Sequence, residues 1–107
     1  MRPERVVSTA PGPTIIADPG DYIEWALARN QFEEQVIEYF IDLVENRRGH
    51  FVDIGSNIGY YAFLFAHHAA EDSRIDAFEP LPHNLARFSR NLSFNRVTSD
   101  LRIHPCG

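Results

Sequence analysis

The apolar residues of this chain follow two kinds of spacing. Between residues 31 and 47 they recur at helical spacing with acidic side chains mostly elsewhere, which predicts an amphipathic helix. Short runs at residues 51–54, 74–79 and 101–104 predict strands, and the first of these has the composition of a strand covered on both faces. Helical patterns at 58–69 and 83–95 lie between them. This order predicts an α/β fold, and right-handed crossovers give its parallel sheet the order 3-2-1.

The two helices between the strands differ in how much of their surface is apolar. Residues 58–69 are apolar on nearly every side, so we expect the sheet to cover one face and the acidic helix to cover another. Residues 83–95 carry a single apolar stripe, and the pattern places Arg87, Arg90 and Asn91 mostly outside it. We therefore expect this second helix to have one solvated face.

The first thirty residues carry weaker signals. Residues 1–13 are rich in proline and are expected to be loose, residues 14–17 predict a short edge strand, and Asp21 is placed to cap a helix at 22–28. We interpret residues 1–30 as an N-terminal extension, partly loose, and residues 31–107 as the main domain.

Composition limits the classes of function. The chain has 107 residues and a formal net charge of -5. Its basic residues are scattered arginines, which argues against nucleic acid and anionic membranes as partners. Because the chain has no lysine, Schiff-base chemistry is excluded. No segment resembles a signal peptide or a membrane span, which predicts a cytoplasmic protein. The single Cys106 cannot form an internal disulfide, and the adjacent His67 and His68 point apart, so no metal site is predicted.

Candidate chemistry concentrates where the first predicted strand meets the following helix. Gly55 and Gly59 permit positive φ there and let a ligand lie against the backbone, while the helix start can direct N–H groups at that ligand. The pattern predicts a site for a small anionic or zwitterionic nucleotide-like cofactor. Gly59 is expected to accept no side chain, because its backbone would pack closely under the cofactor and the start of the helix.

The spacing of this loop argues against a dinucleotide. A dinucleotide fingerprint needs a glycine where this chain has Asn57, and its third glycine is absent. The pattern Asp53-x-Gly55-x-Asn57-x-Gly59 instead resembles motif I of class I S-adenosylmethionine-dependent methyltransferases. That resemblance implies that Asp53 lies near the loop and the amino-acid end of the cofactor.

A second acid follows at the spacing expected of a ribose ligand. Glu79 ends the second predicted strand, about twenty residues after the loop, where a carboxylate can accept both hydroxyl hydrogens of a ribose. Glu79-Pro80 resembles the Glu-Pro element of the FkbM family of methyltransferases, in which the acid holds the ribose and the next residues flank the adenine. The cofactor-binding residues predicted in this way are Asp53, Ile54, Gly55, Ser56, Asn57, Gly59, Glu79 and Pro80.

The resemblance implies a Rossmann-like class I methyltransferase fold, truncated to an N-terminal helical segment plus β-α-β-α-β. The chain then is the S-adenosylmethionine-binding part of a longer enzyme that methylates a hydroxyl of a sugar or small metabolite, and it is inactive alone. No catalytic base is assigned. The alternatives are a non-catalytic remnant or interaction module and, less favoured, a nicotinamide-dinucleotide half-domain.

Two further expectations depend on the resemblance and on the missing partner of the first strand. The pair Phe32-Glu33 has two interpretations. It reaches the cofactor, as an aromatic-Glu pair often does in the family, or it consists of a core aromatic beside a surface acid, and the second interpretation is favoured.

The isolated chain is expected to self-associate through the exposed edge of the strand at 51–54.

Overall fold

The computed structural model describes residues 3–18, 20–29, 31 and 33–107. Its elements are β1 (Arg5–Ser8), β2 (Thr14–Ala17), α1 (Tyr22–Ala28), α2 (Glu34–Val44), β3 (His50–Ile54), α3 (Tyr60–His68), β4 (Arg74–Phe78), α4 (Pro82–Leu92) and β5 (Asp100–His104). Strands β3, β4 and β5 form a parallel sheet in the spatial order β3-β4-β5, and β1 pairs with β2 in an antiparallel hairpin. The predicted mixed α/β architecture with a parallel sheet is confirmed.

Helix α3 lies between two apolar clusters, as its sequence predicts. One cluster joins it to the sheet and α4, and contains Ala62, Phe63, Phe65, Ala66, Ile75, Ala77 and Phe88. The other joins it to the hairpin, α1 and α2, and contains Ile15, Ala17, Leu27, Ile37, Tyr60 and Leu64. Cover on the second side therefore comes from three elements and not from α2 alone.

The N-terminal hairpin is an ordered part of this packing, so the expectation that residues 1–13 are loose is wrong for Arg5–Ser8. Two asparagines of the α4 region hold β2 in place. The Ile16 N–H donates to Asn91 Oδ1 and the Thr14 N–H donates to Asn95 Oδ1, both at 2.8 Å. Asn91 also donates to the Ile58 carbonyl and is only 1% exposed, although the helical pattern placed it mostly outside the buried stripe.

The opposite face of the sheet has no covering helix among the described residues. Val52 is 48% exposed and Ile54 is 77% exposed, so the prediction that β3 is covered on both faces is wrong.

The same region of the sheet carries a cluster of charged side chains around Asp76. Asp76 accepts hydrogen bonds from Arg74 and pairs with His104 and His50 at 2.7 and 2.6 Å. The Arg74 guanidinium, followed by the His104 imidazole, holds the pKa of Asp76 well below its usual range.

The remaining helices agree closely with the pattern, with ends that differ by a few residues. Helix α2 begins at Glu34, after Glu33 in a left-handed conformation, whereas the pattern predicted a start near residue 31. Asp21 caps α1 by accepting from the Glu24 N–H at 3.0 Å. Among the described residues, no helix combines the length and the apolar character that crossing a membrane requires.

Candidate functional site

The loop after β3 is tied to the end of β4 by its own backbone. The N–H groups of Gly55 and Ser56 both donate to the Phe78 carbonyl, at 2.9 and 3.0 Å. The Asn57 N–H donates to Glu79 Oε1 at 2.8 Å, and the Gly59 N–H donates to the Ser56 carbonyl at 2.9 Å. These four donors are therefore already used within the protein, and they do not form the anion cradle that a glycine-rich loop can provide.

The two glycines of this loop have different surroundings. Gly55 has φ +74° and open space where a Cβ would lie. Gly59 has φ +95°, and a Cβ there would lie 2.8 Å from a carbon of Phe63 and 2.9 Å from two carbons of Phe88. The close approach observed at Gly59 is therefore to Phe63 at the start of α3 and to Phe88 of α4, and the expected approach to a cofactor stays a prediction.

Glu79 lies beneath the loop with little access to solvent. It is 4% exposed, and its second oxygen accepts from the Leu81 N–H at 3.0 Å and from the Asn84 amide at 3.4 Å. Burial alone would raise the pKa of Glu79, but the hydrogen bonds from the Leu81 and Asn57 N–H groups lower it below its usual value. This carboxylate is thus an ionised anchor for the loop.

A cavity of about 260 Å³ lies beside the loop, at the carboxyl end of β3. Four of the predicted cofactor residues line it, namely Asp53, Gly55, Ser56 and Asn57. The other four lie elsewhere: Ile54 and Pro80 are exposed, Gly59 faces the core, and Glu79 lies under the loop. The remaining lining residues are Asp21, Ile23, Glu24, Leu27, Glu33, Ile58, Tyr60 and Tyr61.

At this cavity Asp53 Oδ2 is buried without a hydrogen-bond partner among the described residues. Burial, and then the charge of Glu79, raise the pKa of Asp53 to about 6. Burial, and then the charge of Glu33, raise the pKa of Tyr61 to about 12. An unpartnered buried carboxylate is costly, so a donor or cation bound at Asp53 would relieve that cost.

Three of the carboxylates at the cavity come from outside the loop motif. Glu24 is buried and pairs with Arg87, which also donates to the Ile16 carbonyl at 3.0 Å. Burial raises the pKa of Glu24. The hydrogen bond from the Asp18 N–H and the charge of Arg87 act to lower that pKa, but burial has the larger effect. Asp21 and Glu33 complete the set. For Glu33 the sequence offered one signal, the aromatic-Glu pair of the family, while Phe32 lies outside the described residues.

The charges of the cavity select the kind of ligand it can hold. Carboxylates from α1, from the start of α2 and from β3 surround it, and the neighbouring loop has its N–H groups in use. Such a surface repels phosphate and attracts an ammonium or another cationic centre. Its volume lies just below the range of about 300 to 1,000 Å³ usual for small-molecule sites, so it suits part of a ligand.

The chain matches no protein-family model and no curated protein. Among solved structures it is similar to the Pyrococcus abyssi tRNA (uracil-54, C5)-methyltransferase, whose structure was solved in complex with S-adenosyl-L-homocysteine. The two chains are 17% identical over the match, and the TM-score is 0.46. The match covers 64% of this chain and 16% of that chain, so this chain corresponds to a small part of that enzyme's length.

Proposed function

We propose that the cavity beside the loop binds the amino-acid end of S-adenosylmethionine, and that the chain is the cofactor-binding part of a methyltransferase. The observation that carries the proposal is the buried, unpartnered Asp53 Oδ2 at a cavity lined by carboxylates. S-adenosylmethionine carries an ammonium group and a positively charged sulfur, and both are suited to such a surface. The resemblance of the Asp53 to Gly59 stretch to motif I of class I methyltransferases agrees with this assignment.

Each part of the site has a role in this proposal. Asp53 would accept a hydrogen bond from the ammonium group, and Glu33, which also lines the cavity, would add negative charge. Glu79 would keep the loop in place through Asn57 and present the remaining lone pair of its Oε1 to a ribose hydroxyl. When bound, the cofactor supplies an activated methyl group, and the protein contributes mainly the positioning of the two reactants.

The finer assignments follow from the resemblance to the FkbM family. The fold would be Rossmann-like, and in the complete enzyme the acceptor would be a hydroxyl of a sugar or small metabolite. None of the described carboxylates is assigned as a general base, because Asp53 and Glu79 are engaged in holding the cofactor and the loop. We accordingly expect methyl transfer to be absent from the isolated chain.

The first test replaces Asp53 by asparagine. Because S-adenosylhomocysteine keeps its ammonium charge between pH 5 and 7, its binding to the wild type should strengthen as Asp53 ionises through a pKa of about 6. Asp53→Asn should weaken binding at pH 7 by roughly 10- to 100-fold, the scale of a hydrogen bond between charged groups, and should remove this pH dependence. Calorimetric titration at pH 5 and at pH 7 measures the affinity for S-adenosylhomocysteine. Asp42→Asn, on the exposed side of α2, is the control.

The same substitution should stabilise the empty protein at neutral pH. An acid with a raised pKa in the fold binds more protons than the unfolded chain does, so its contribution to stability declines as pH rises from about 4 to about 6. Asp53→Asn should therefore raise the free energy of unfolding above pH 6 by about 1 to 3 kcal/mol. For the binding test, an Asp53→Asn variant that binds S-adenosylhomocysteine as tightly as the wild type at pH 5 and at pH 7 would overturn the proposal.

A further inference from the structure

Helix α1 forms one wall of the cavity beside the loop. It supplies Ile23, Glu24 and Leu27 to the lining, and Asp21, which caps its amino end, lines the cavity as well. The rest of the lining comes from the loop and from the starts of α2 and α3. The cavity therefore keeps its observed shape only while α1 keeps its position beside the loop.

The two ends of α1 are held in different ways. Near its carboxyl end, Leu27 is buried in the apolar cluster that joins α3 to the hairpin, α1 and α2. At its amino end Tyr22 is 82% exposed and Ile23 is 45% exposed, so this end has little apolar packing. The buried side chain there is Glu24, which accepts from the Asp18 N–H at 3.1 Å. The amino end of α1 is therefore held mainly by the polar contacts of Glu24.

The charged partner of Glu24 is Arg87 of α4, which the helical pattern placed mostly outside the buried stripe. The Arg87 side chain is only 11% exposed, and it also donates to the Ile16 carbonyl at 3.0 Å. Two further carboxylates lie near its guanidinium, that of Glu4 at 3.8 Å and that of Asp18 at 3.9 Å. A single guanidinium thus connects α4 to the hairpin and to α1, and it lies among three carboxylates.

These three carboxylates would respond differently to the loss of Arg87. Glu4 and Asp18 have side chains 43% and 44% exposed, so water can solvate them. Glu24 is 5% exposed, and a charge this deeply buried is strongly destabilising once its partner is removed. Movement of α1 toward solvent would hydrate Glu24, and it would also remove one wall of the cavity.

We propose that Arg87 is a positioning residue for the cavity: through Glu24 it holds α1 in place as a wall of the ligand site, although Arg87 itself does not line the cavity. The ligand-binding part of this inference rests on the proposed function, whereas the position of α1 can be measured without a ligand. Trp25 provides that measurement, because it is the single tryptophan of the chain, follows Glu24 in α1 and is half-buried.

The first variant for this test is Arg87→Met. Because α1 should move outward, we expect the quenching of Trp25 fluorescence by acrylamide to increase about twofold or more at pH 8, where protonation of Glu24 is disfavoured. Calorimetric titration should show that S-adenosylhomocysteine binds about tenfold or more weakly, since one wall of its site is no longer preorganised. Arg90→Met is the matched control, because Arg90 lies one turn further along α4 and its side chain is 55% exposed.

A second substitution, Glu24→Gln, separates loss of charge compensation from loss of packing. Glutamine can still accept from the Asp18 N–H but leaves no buried charge, so adding Glu24→Gln to Arg87→Met should restore part of the shielding of Trp25 and part of the affinity. A role of Arg87 in packing alone predicts no such recovery. Arg87→Lys, which keeps the charge without the planar fork of donors, should fall between the wild type and Arg87→Met.

The inference and the proposed function fail in different ways. Trp25 quenching that is the same in Arg87→Met and in the wild type, or a double variant that recovers nothing, would overturn the role of Arg87. If Arg87→Met is unfolded by circular dichroism, the double variant is expected to regain structure, and its failure to do so would count against the inference equally. Absence of S-adenosylhomocysteine binding to the wild type would instead contradict the proposed cofactor, and Trp25 would still report the position of α1.

Discussion

Replacement of Gly59 by alanine is expected to lower the folding stability of this protein more than any single substitution considered at another position of the loop. The added Cβ would lie under 3.0 Å from ring carbons of Phe63 and Phe88, which are fully buried and pack edge to face at 5.2 Å between ring centroids. Overpacking of a dense core combines here with a positive φ that a side chain rarely adopts, so we expect a loss of about 3 to 5 kcal/mol. Gly59→Val should be more severe.

Gly55→Ala is the matched control for this substitution. It introduces the same methyl group at a positive φ, but nothing lies within 4 Å of the new atom. Its cost should therefore be limited to backbone strain, about 1 to 2 kcal/mol. Urea unfolding followed by circular dichroism measures both variants, and equal losses would show that the contact with the two phenylalanines is not what requires glycine at position 59.

Glu79→Ala is expected to destabilise the loop and to weaken cofactor binding together. The side chain accepts from the Asn57 and Leu81 N–H groups, so its removal leaves two donors without a partner and should cost about 2 to 5 kcal/mol of folding stability. If Glu79 also holds the ribose, binding of S-adenosylhomocysteine should weaken by about 1.5 to 3 kcal/mol. Because its pKa is lowered in the fold, the stabilisation should be lost as pH falls through that lowered value.

Glu79→Gln separates the two roles. Glutamine keeps the shape and one accepting oxygen, so it should retain more of the loop structure than alanine while losing the charge that favours ribose hydroxyls. Unfolding measurements on both variants report the loop, and calorimetric titration reports the ligand. Unchanged stability in Glu79→Ala would contradict the anchoring role, and unchanged affinity in both variants would contradict the ribose assignment.

The elements that could be predicted from the sequence are those with a strong pattern of their own. The all-round apolar helix α3 could be placed between two layers because no other position would cover it, and the strand runs of β4 and β5 agree with the observed strands to within about one residue. The loop residues Asp53, Gly55, Ser56 and Asn57 were predicted from the resemblance of their pattern to motif I of class I methyltransferases, and these four residues line the cavity.

The features that were missed depend on contacts between distant parts of the chain. Asn91 is buried because its amide satisfies backbone groups of Ile16 and Ile58, which a helical pattern of apolar residues does not reveal. Strand β1 has four residues, of which only Val6 and Val7 are apolar, so it is too short for a clear pattern of its own and is fixed by pairing with β2. The exposure of Val52 and Ile54 depends on which elements cover the second face of the sheet, and a short apolar run looks the same in either case.

The acidic wall of the cavity, formed by Asp21 and Glu33, was predicted only in part: Asp21 was expected to cap a helix, and contact of Glu33 with the cofactor was the less favoured alternative. Asp21 and Glu33 lie far from the loop in sequence, and only the packing of α1 and α2 brings them to its edge. This wall argues against a purely anionic ligand and favours one that has a positive centre at this end. It also strengthens the argument against a nicotinamide dinucleotide, whose pyrophosphate would meet carboxylates and a loop without spare donors.

The most direct test compares ligands on the wild-type chain by calorimetric titration at pH 7. S-adenosylhomocysteine has an amino-acid end with an ammonium group, methylthioadenosine has the same nucleoside without it, and NAD has a pyrophosphate. We expect weak but measurable binding of S-adenosylhomocysteine, weaker binding of methylthioadenosine, and no binding of NAD. Equal affinity for the first two ligands, or tighter binding of NAD, would contradict a site built to hold the ammonium group of S-adenosylmethionine.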